Sequence, residues 1–291
     1  MKLVINIPCY NEQNTLPLVL EELPDKIPGV DEIIVQVVDD GSTDQTKQIA
    51  QNYDCKIISH KGNRGLGMAF QSGANAALEN GCDILVNLDA DNQYPSRFIT
   101  DLIRPILDEK VDIVIGNRKP WDIKHFSWTK RLFQKIGNGV IKNILKVDAP
   151  DAISGFRAYS KEALLRIHVS TGYSYTLDTL VQAAKKGLAI QSIDIETNPP
   201  TRKSRLFKNI IQYMLISSLN FARILIIYEP VKSFLLPSLI FFIPGFLLLV
   251  RYLYLFINGN RNGHIQSIVA GALFCILGAI IFSLGIIRPQ S

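Results

Sequence analysis

The run Asp89-Ala90-Asp91-Asn92-Gln93 closes an apolar stretch, residues 84–88, and precedes Pro95. Two carboxylates one residue apart at a strand end can both reach one hard cation. Mg2+ and Mn2+ take oxygen ligands and commonly share them with phosphates. Asp89 and Asp91 could thus hold a metal on a diphosphate, with neutral oxygens of Asn92 and Gln93 beside it. Alone, Asp-x-Asp also reads as a solvated turn. A second run, Val37-Val38-Asp39-Asp40-Gly41-Ser42-Thr43-Asp44, ends a buried strand in acids and then opens a helix. Ser42 or Thr43 can cap that helix. Asp39 and Asp40 need another reason, and an acid there could accept from a nucleobase or a ribose hydroxyl. In Ile7-Pro8-Cys9-Tyr10-Asn11-Glu12, Pro8 stops the strand ladder and Tyr10 offers a flat face for a base. Glu12 reads either as part of that site or as a first-turn acid of the next helix.

Gly62-Asn63-Arg64-Gly65-Leu66-Gly67 is a glycine-rich turn that could approach phosphate. Phe70 stands where a dinucleotide fingerprint needs glycine, which argues against an oxidoreductase. Arginines follow in Gly116-Asn117-Arg118, Ser154-Gly155-Phe156-Arg157 and Arg202-Lys203-Ser204-Arg205. An arginine at a strand end beside an acidic, metal-bearing site suits a phosphate ligand. Arg157 could instead pair with a sheet-end carboxylate.

These motifs need a scaffold that gathers them. Apolar, β-branched runs at 3–7, 32–38, 56–59, 84–88 and 112–115 alternate with helical patterns at 15–23, 43–52, 65–79 and 96–108. Further strands are expected at 154–159 and 190–196. Such alternation predicts an α/β fold, a mostly parallel sheet with helices on both faces. Ligands of open α/β sheets bind beyond the carboxyl ends of the strands, where the polar motifs lie.

The chain has 291 residues, 47% hydrophobic and 20% charged, with net charge +5. This composition excludes disorder, collagen-like repeats and a small disulfide scaffold. From Val231 onward there are four basic residues (Lys232, Arg251, Arg261, Arg288) and no acid. Residues 233–256 carry one charge, Arg251, and 265–287 carry none, so each can cross a hydrocarbon core of about 30 Å. A polar turn at 258–264 separates them, and the pair predicts a transmembrane hairpin. Lys232 and Arg288 at the inner ends agree with a cytoplasmic large domain, while Arg251 and Arg261 near the outer turn do not. The N-terminus turns polar by Asn11, unlike a signal peptide. Basic stretches at 118–146 and 202–208 adjoin apolar helical patterns at 126–145 and 206–228, as expected of interfacial amphipathic helices on anionic lipid. Cys9, Cys55, Cys82 and Cys275 form no C-x-x-C pair and read as small hydrophobes in a reducing compartment.

In this order the motifs resemble the inverting nucleotide-sugar glycosyltransferases of family 2, with the Rossmann-like GT-A fold. Within that family the chain looks like the dolichyl- or polyprenyl-phosphate sugar synthases of the mannose-transferring type. The resemblance covers about residues 1–230, and the two-span tail matches bacterial members. It implies that Pro8, Tyr10, Glu12, Val37 and Asp39 hold the nucleoside, and that Asp89, Ala90, Asp91 and Gln93 hold metal and diphosphate. Arg118, and Arg202 or Arg205, would then meet phosphate of donor or acceptor. The Gln-x-x-Arg-Trp motif of processive polysaccharide synthases is lacking; the tryptophans are Trp121 and Trp128.

The expected protein is thus a cytoplasmic catalytic domain, 1–230, with a transmembrane hairpin, 231–291. It would move a hexose from a GDP- or UDP-sugar to a polyprenyl or dolichyl phosphate, with inversion and with Mg2+ or Mn2+. Asp89, Asp91 and Arg118 would be catalytic, and Arg157 a further phosphate contact. Nothing calls for a nucleic-acid partner, and a homo-oligomer is compatible with this reading. Transfer to a neutral lipid hydroxyl would need a base, for which Asp151 and Asp178 are candidates. A catalytically silent scaffold of the same fold would more naturally have lost a carboxylate of the Asp-x-Asp pair.

Overall fold

The computed structural model describes residues 1–119, 149–172, 174–199, 218–219, 222–223, 225–259 and 265–287. The chain divides into two compact units, Met1–Arg205 and Leu206–Ser291. The basic runs beyond Arg118 and Lys119, including Arg202 and Arg205, lie outside the described residues, as do nearly all of the two amphipathic patterns.

In the first unit, seven strands form one sheet: β1 (Lys2–Cys9), β2 (Glu32–Asp39), β3 (Lys56–Ser59), β4 (Ile84–Asn87), β5 (Ile113–Asn117), β6 (Arg157–Ser160) and β7 (Ile190–Asp194). Their order is β3-β2-β1-β4-β6-β5-β7. All neighbours are parallel except β6, which runs against both β4 and β5. Because β6 is reversed, its first residue, Arg157, lies opposite Asn87 and Ile115, at the carboxyl ends of β4 and β5. The loop before β6 therefore joins the rim where the other motifs end.

Central β1 is buried on both faces, which explains an apolar run interrupted only by Asn6; Pro8 pairs in register with Val38 and, contrary to expectation, does not stop the ladder. On one face Leu3, Ile5 and Ile7 pack in a core with residues of α1 (Leu16–Glu21), α2 (Thr46–Asn52) and α4 (Ile99–Leu107). On the other lies α3 (Leu66–Glu79), where Gly73 admits the Asn6 side chain; a Cβ there would overlap it. Phe70 of α3 stacks on Tyr175 at 4.3 Å, just before α6 (Thr176–Lys185). A short helix, α5 (Lys161–Arg166), follows β6 and is capped by Ser160.

Helix α2 starts at Thr46, three residues later than its pattern predicts, and neither Ser42 nor Thr43 caps it. The Ser42 hydroxyl instead accepts from the Asn11 N–H at 3.0 Å, and the Thr43 N–H donates to the Asn11 side chain at 2.8 Å. These residues tie two loops together rather than begin a helix.

The second unit contains α7 (Pro230–Ile257) and α8 (Ile265–Ile286), both long and apolar enough to cross a membrane. Gly271, Gly278 and Gly285, seven residues apart, face α7: added Cβ atoms would press on Gly245 and Leu249, on Ser238 and Phe242, and on Pro230 and Phe234. Small residues let two helices approach backbone to backbone. The outer faces remain apolar and exposed, as at Leu236, Ile240, Leu247, Leu273 and Ile276.

Candidate active site

Four loop systems meet at one rim of the sheet. The first two are cross-linked. Cys9 and Asp39 are register partners at the ends of β1 and β2. The buried Asp39 carboxylate accepts from the Ser42 N–H at 3.0 Å. Tyr10 is exposed. Glu12 is buried at the start of α1: its carbonyl accepts from Leu16 N–H at 2.9 Å and its carboxylate from the Thr15 hydroxyl at 2.8 Å. Glu12 lies three residues before the helix's N-cap, Thr15, so it is not a first-turn acid of α1. Val37 and Ala90 are buried in the apolar core.

Asp40 has a role the sequence did not reveal. Its carboxylate accepts from the N–H groups of Arg64 (2.9 Å) and Gly65 (2.8 Å) and lies 2.6 Å from His60 Nδ1. The other ring nitrogen of His60 is 2.9 Å from Ser72 Oγ. The glycine-rich turn is thus folded inward onto Asp40. Gly65, at φ +91°, and Gly67 abut the backbone of Gly172 and Thr171, where a Cβ would collide. These glycines allow close backbone packing.

The third system follows β4. Asp89 lies against Gly155, where an added Cβ would collide with its carboxylate. Burial, then the Asp91 charge, pushes the Asp89 carboxyl up to about 7, against the opposing pull of Arg118 and Arg157. Asp91 Oδ1 accepts from the Gln93 N–H at 3.1 Å, and Asn92 between them is left-handed at φ +58°. Tyr94 turns inward, stacks on Phe156 and accepts from the Gly155 N–H at 3.3 Å. A buried polar chain supports this loop from behind. Gln36 donates to Asn6 (2.7 Å), Asn6 to Asn87 (2.7 Å), Asn87 to Tyr175 (2.7 Å), and Tyr175 to the carbonyl of Gly155 (2.7 Å). Burial raises the Tyr175 phenol well above its ordinary range, so it stays a donor.

The fourth system joins the end of β5 to the loop before β6. Arg118 grips Asp151 with two prongs, Nε to Oδ2 at 2.6 Å and Nη2 to Oδ1 at 2.8 Å. Arg157 departs from both expectations. It is fully buried and meets neither an open phosphate position nor a carboxylate. Its donors go to the carbonyls of Ser154 (2.8 Å), Thr176 (2.7 Å) and Ala152 (2.6 Å) and to Thr179 Oγ1 (3.1 Å). It fastens the loop and acts on Asp89 through charge.

The chain's sequence matches the profile of glycosyl transferase family 2 over residues 4–167. The chain belongs to this family. It is a glycosyltransferase. Its relatives include the polyprenol monophosphomannose synthase of Mycolicibacterium smegmatis, 29% identical over 66% of this chain and 76% of that one. The undecaprenyl-phosphate mannosyltransferase of Micrococcus luteus is 30% identical over 67% and 83%. The UDP-N-acetylglucosamine–dolichyl-phosphate N-acetylglucosaminyltransferase of Methanococcus voltae is 32% identical over 66% and 83%. Among solved structures, glucosyl-3-phosphoglycerate synthase of Mycobacterium tuberculosis with Mn2+ and UDP-glucose superposes with a TM-score of 0.59 at 22% identity, covering 77% of this chain and 78% of that one. That likeness establishes the GT-A-like fold of this glycosyltransferase.

The donor set at Asp89 and Asp91 fits a hard divalent cation. It consists of oxygens only, and one carboxylate is held against backbone in a setting that disfavours its own charge.

Proposed function

We propose that this glycosyltransferase moves a hexose from a GDP- or UDP-sugar to a polyprenyl or dolichyl phosphate, with inversion, at the rim formed by β1, β2, β4 and β5. The observation that carries this reading is the Asp89–Asp91 pair at the end of β4, beside Arg118. Relatives named for polyprenol, undecaprenyl and dolichyl phosphate support the acceptor class.

Asp91 and Asp89, with Gln93 close by, would hold Mg2+ or Mn2+. Such a cation offsets charge on the diphosphate as it leaves. Asp39 and Tyr10, with Pro8 near the end of β1 and Glu12 in the turn before α1, would receive the nucleoside. Arg118, and Arg202 or Arg205, would meet phosphate. A phosphate acceptor is already ionised near pH 7, so positioning and electrostatics suffice without a strong base. The two acids that could serve a hydroxyl acceptor are poorly placed for proton abstraction. Asp151 is fully buried against Arg118, and Asp178 is buried and accepts from Gln182 at 3.1 Å. The catalytic domain, 1–230, would be cytoplasmic and anchored by the hairpin of α7 and α8.

The test is to incubate the purified full chain with radiolabelled GDP- and UDP-sugars, polyprenyl phosphate and Mn2+, then extract the lipid. Label in the lipid fraction that requires both Mn2+ and Asp91 is the expected result. Label transferred to diacylglycerol but not to polyprenyl phosphate would overturn it.

A further inference from the structure

The loop Asp91–Gln93 is gripped from outside by one residue that none of the motifs contains. Asn198 lies just beyond β7, more than a hundred positions away in sequence. Its backbone N–H donates to the carbonyl of Gln93 at 2.9 Å. Its side-chain amide donates to the carbonyl of Asn92 at 3.1 Å and reaches the Asn92 side-chain oxygen at 3.4 Å. These contacts fall on the residue between the two expected metal neighbours and on the second of them.

The grip matters because of the conformation it holds. Asn92 is left-handed, which a side chain other than glycine adopts only at some cost. That conformation accompanies the Asp91 Oδ1 bond to Gln93 N–H and fixes where the Asp91 carboxylate points. An unsupported loop of this kind could relax to a right-handed turn and swing Asp91 away from Asp89. The next residues are Pro199 and Pro200, then the basic run Arg202–Arg205. Pro199 directly follows Asn198, and a residue before proline is biased toward extended backbone.

We infer that Asn198 is a positioning residue for this glycosyltransferase, holding the loop Asp91–Gln93 in the conformation that binds the divalent cation. This rests on the metal reading of Asp89 and Asp91. Its side-chain amide N–H is the working group, because the contacts on Asn92 are the ones that define the left-handed turn. Groups that orient metal ligands without touching the metal typically matter about 10- to 100-fold in affinity.

The experiment measures Mn2+ binding alone, by the loss of the free-ion electron paramagnetic signal, on the full chain in detergent. Wild type, Asn198→Ala, Asn198→Leu and Asp91→Ala are compared, with melting temperatures alongside. Both Asn198 variants should bind Mn2+ about 10- to 100-fold more weakly while melting within about 3 °C of wild type. Leucine shares asparagine's branched heavy-atom skeleton but has no hydrogen-bonding group, so wild-type affinity in Asn198→Leu would overturn the inference and leave only a packing role. A collapse in melting temperature in both variants would do the same, making Asn198 a stability residue. If Asp91→Ala binds Mn2+ as wild type does, the metal reading itself fails. If Asp91→Ala loses the ion while both Asn198 variants keep it, only the inference about Asn198 fails.

Discussion

Arg118 and Asp151 form a buried two-pronged ion pair across 33 residues of sequence, their side chains 9% and 0% exposed. Any phosphate that reaches Arg118 must share the guanidinium with this carboxylate. Truncating one partner strands the other as an uncompensated buried charge. Arg118→Ala should therefore lose about 3–5 kcal/mol of stability, and Arg118→Ala with Asp151→Asn should recover part of it. Thermal unfolding of the single and double variants measures this. Equal melting of wild type and Arg118→Ala would show that the pair is not formed in solution. Acceptor use should be compared only among variants that remain folded.

Gly155→Ala tests the backing of Asp89. The new Cβ would displace the carboxylate that lies against this glycine. Overpacking of this kind costs about 1–3 kcal/mol. Transfer and Mn2+ binding are expected to fall at least about tenfold, matching about 1.4 kcal/mol of lost positioning. Calorimetric titration with Mn2+ checks the second quantity, and unchanged affinity would remove Gly155 from the site.

The raised Asp89 carboxyl gives a pH dependence. A proton and a cation compete for it, so Mn2+ affinity should be level above about pH 8. It should fall by about tenfold per pH unit below about 7. An ordinary carboxyl would leave affinity flat from pH 5 to 8. The metal-free protein has a matching pH dependence of stability. Asp89 holds its proton more tightly folded than unfolded. Its contribution is fully present below the ordinary carboxyl value of 3.8 and is lost as pH rises through about 7. Asp89→Asn should abolish that slope in urea melts across the same range.

Topology is tested with single cysteines in a background lacking the native ones. An impermeant thiol reagent applied to intact cells should label Asn258→Cys, at the end of α7, and should not label Asn52→Cys, at the end of α2. The reverse pattern would put the catalytic domain outside and away from cytoplasmic nucleotide sugars.

What the sequence made legible was whatever repeats along the chain. The apolar run before Asp89 announces a strand with acids at its tip, and the two long uncharged stretches announce α7 and α8, whose observed starts lie within three residues of expectation. What stayed hidden depends on contacts between distant positions. His60 reaches Asp40 across 20 residues, and Asn198 reaches Asn92 across 106, without any local pattern. The direction of β6 was hidden for another reason: a short apolar strand reads the same in a parallel or an antiparallel ladder. Arg157 misled because its neighbours, Gly155 and Phe156, look like a ligand loop, whereas the backbone carbonyls that satisfy it carry no sequence signature. Ser42 and Thr43 misled because a hydroxyl that caps a helix and one that ties two loops occupy the same place before a helix.

The reversed strand β6 has a consequence for how this enzyme can be altered. Asn117 closes β5 and Arg157 opens β6, and the two strands are direct neighbours in the sheet. Ile115 of β5 faces Arg157, and the Gly116 N–H donates to the carbonyl of Phe156 at 2.9 Å, so the segment between the two strands leaves and returns on neighbouring strands. Its closure entropy changes by only about 0.6 kcal/mol for each doubling of its length. The described flanks of this segment, 118–119 and 149–156, thus lie on one rim. Changes of length between residues 120 and 148 are therefore expected to leave the sheet folded, provided Arg118, Asp151 and Gly155 are kept, and thermal unfolding of such variants checks this.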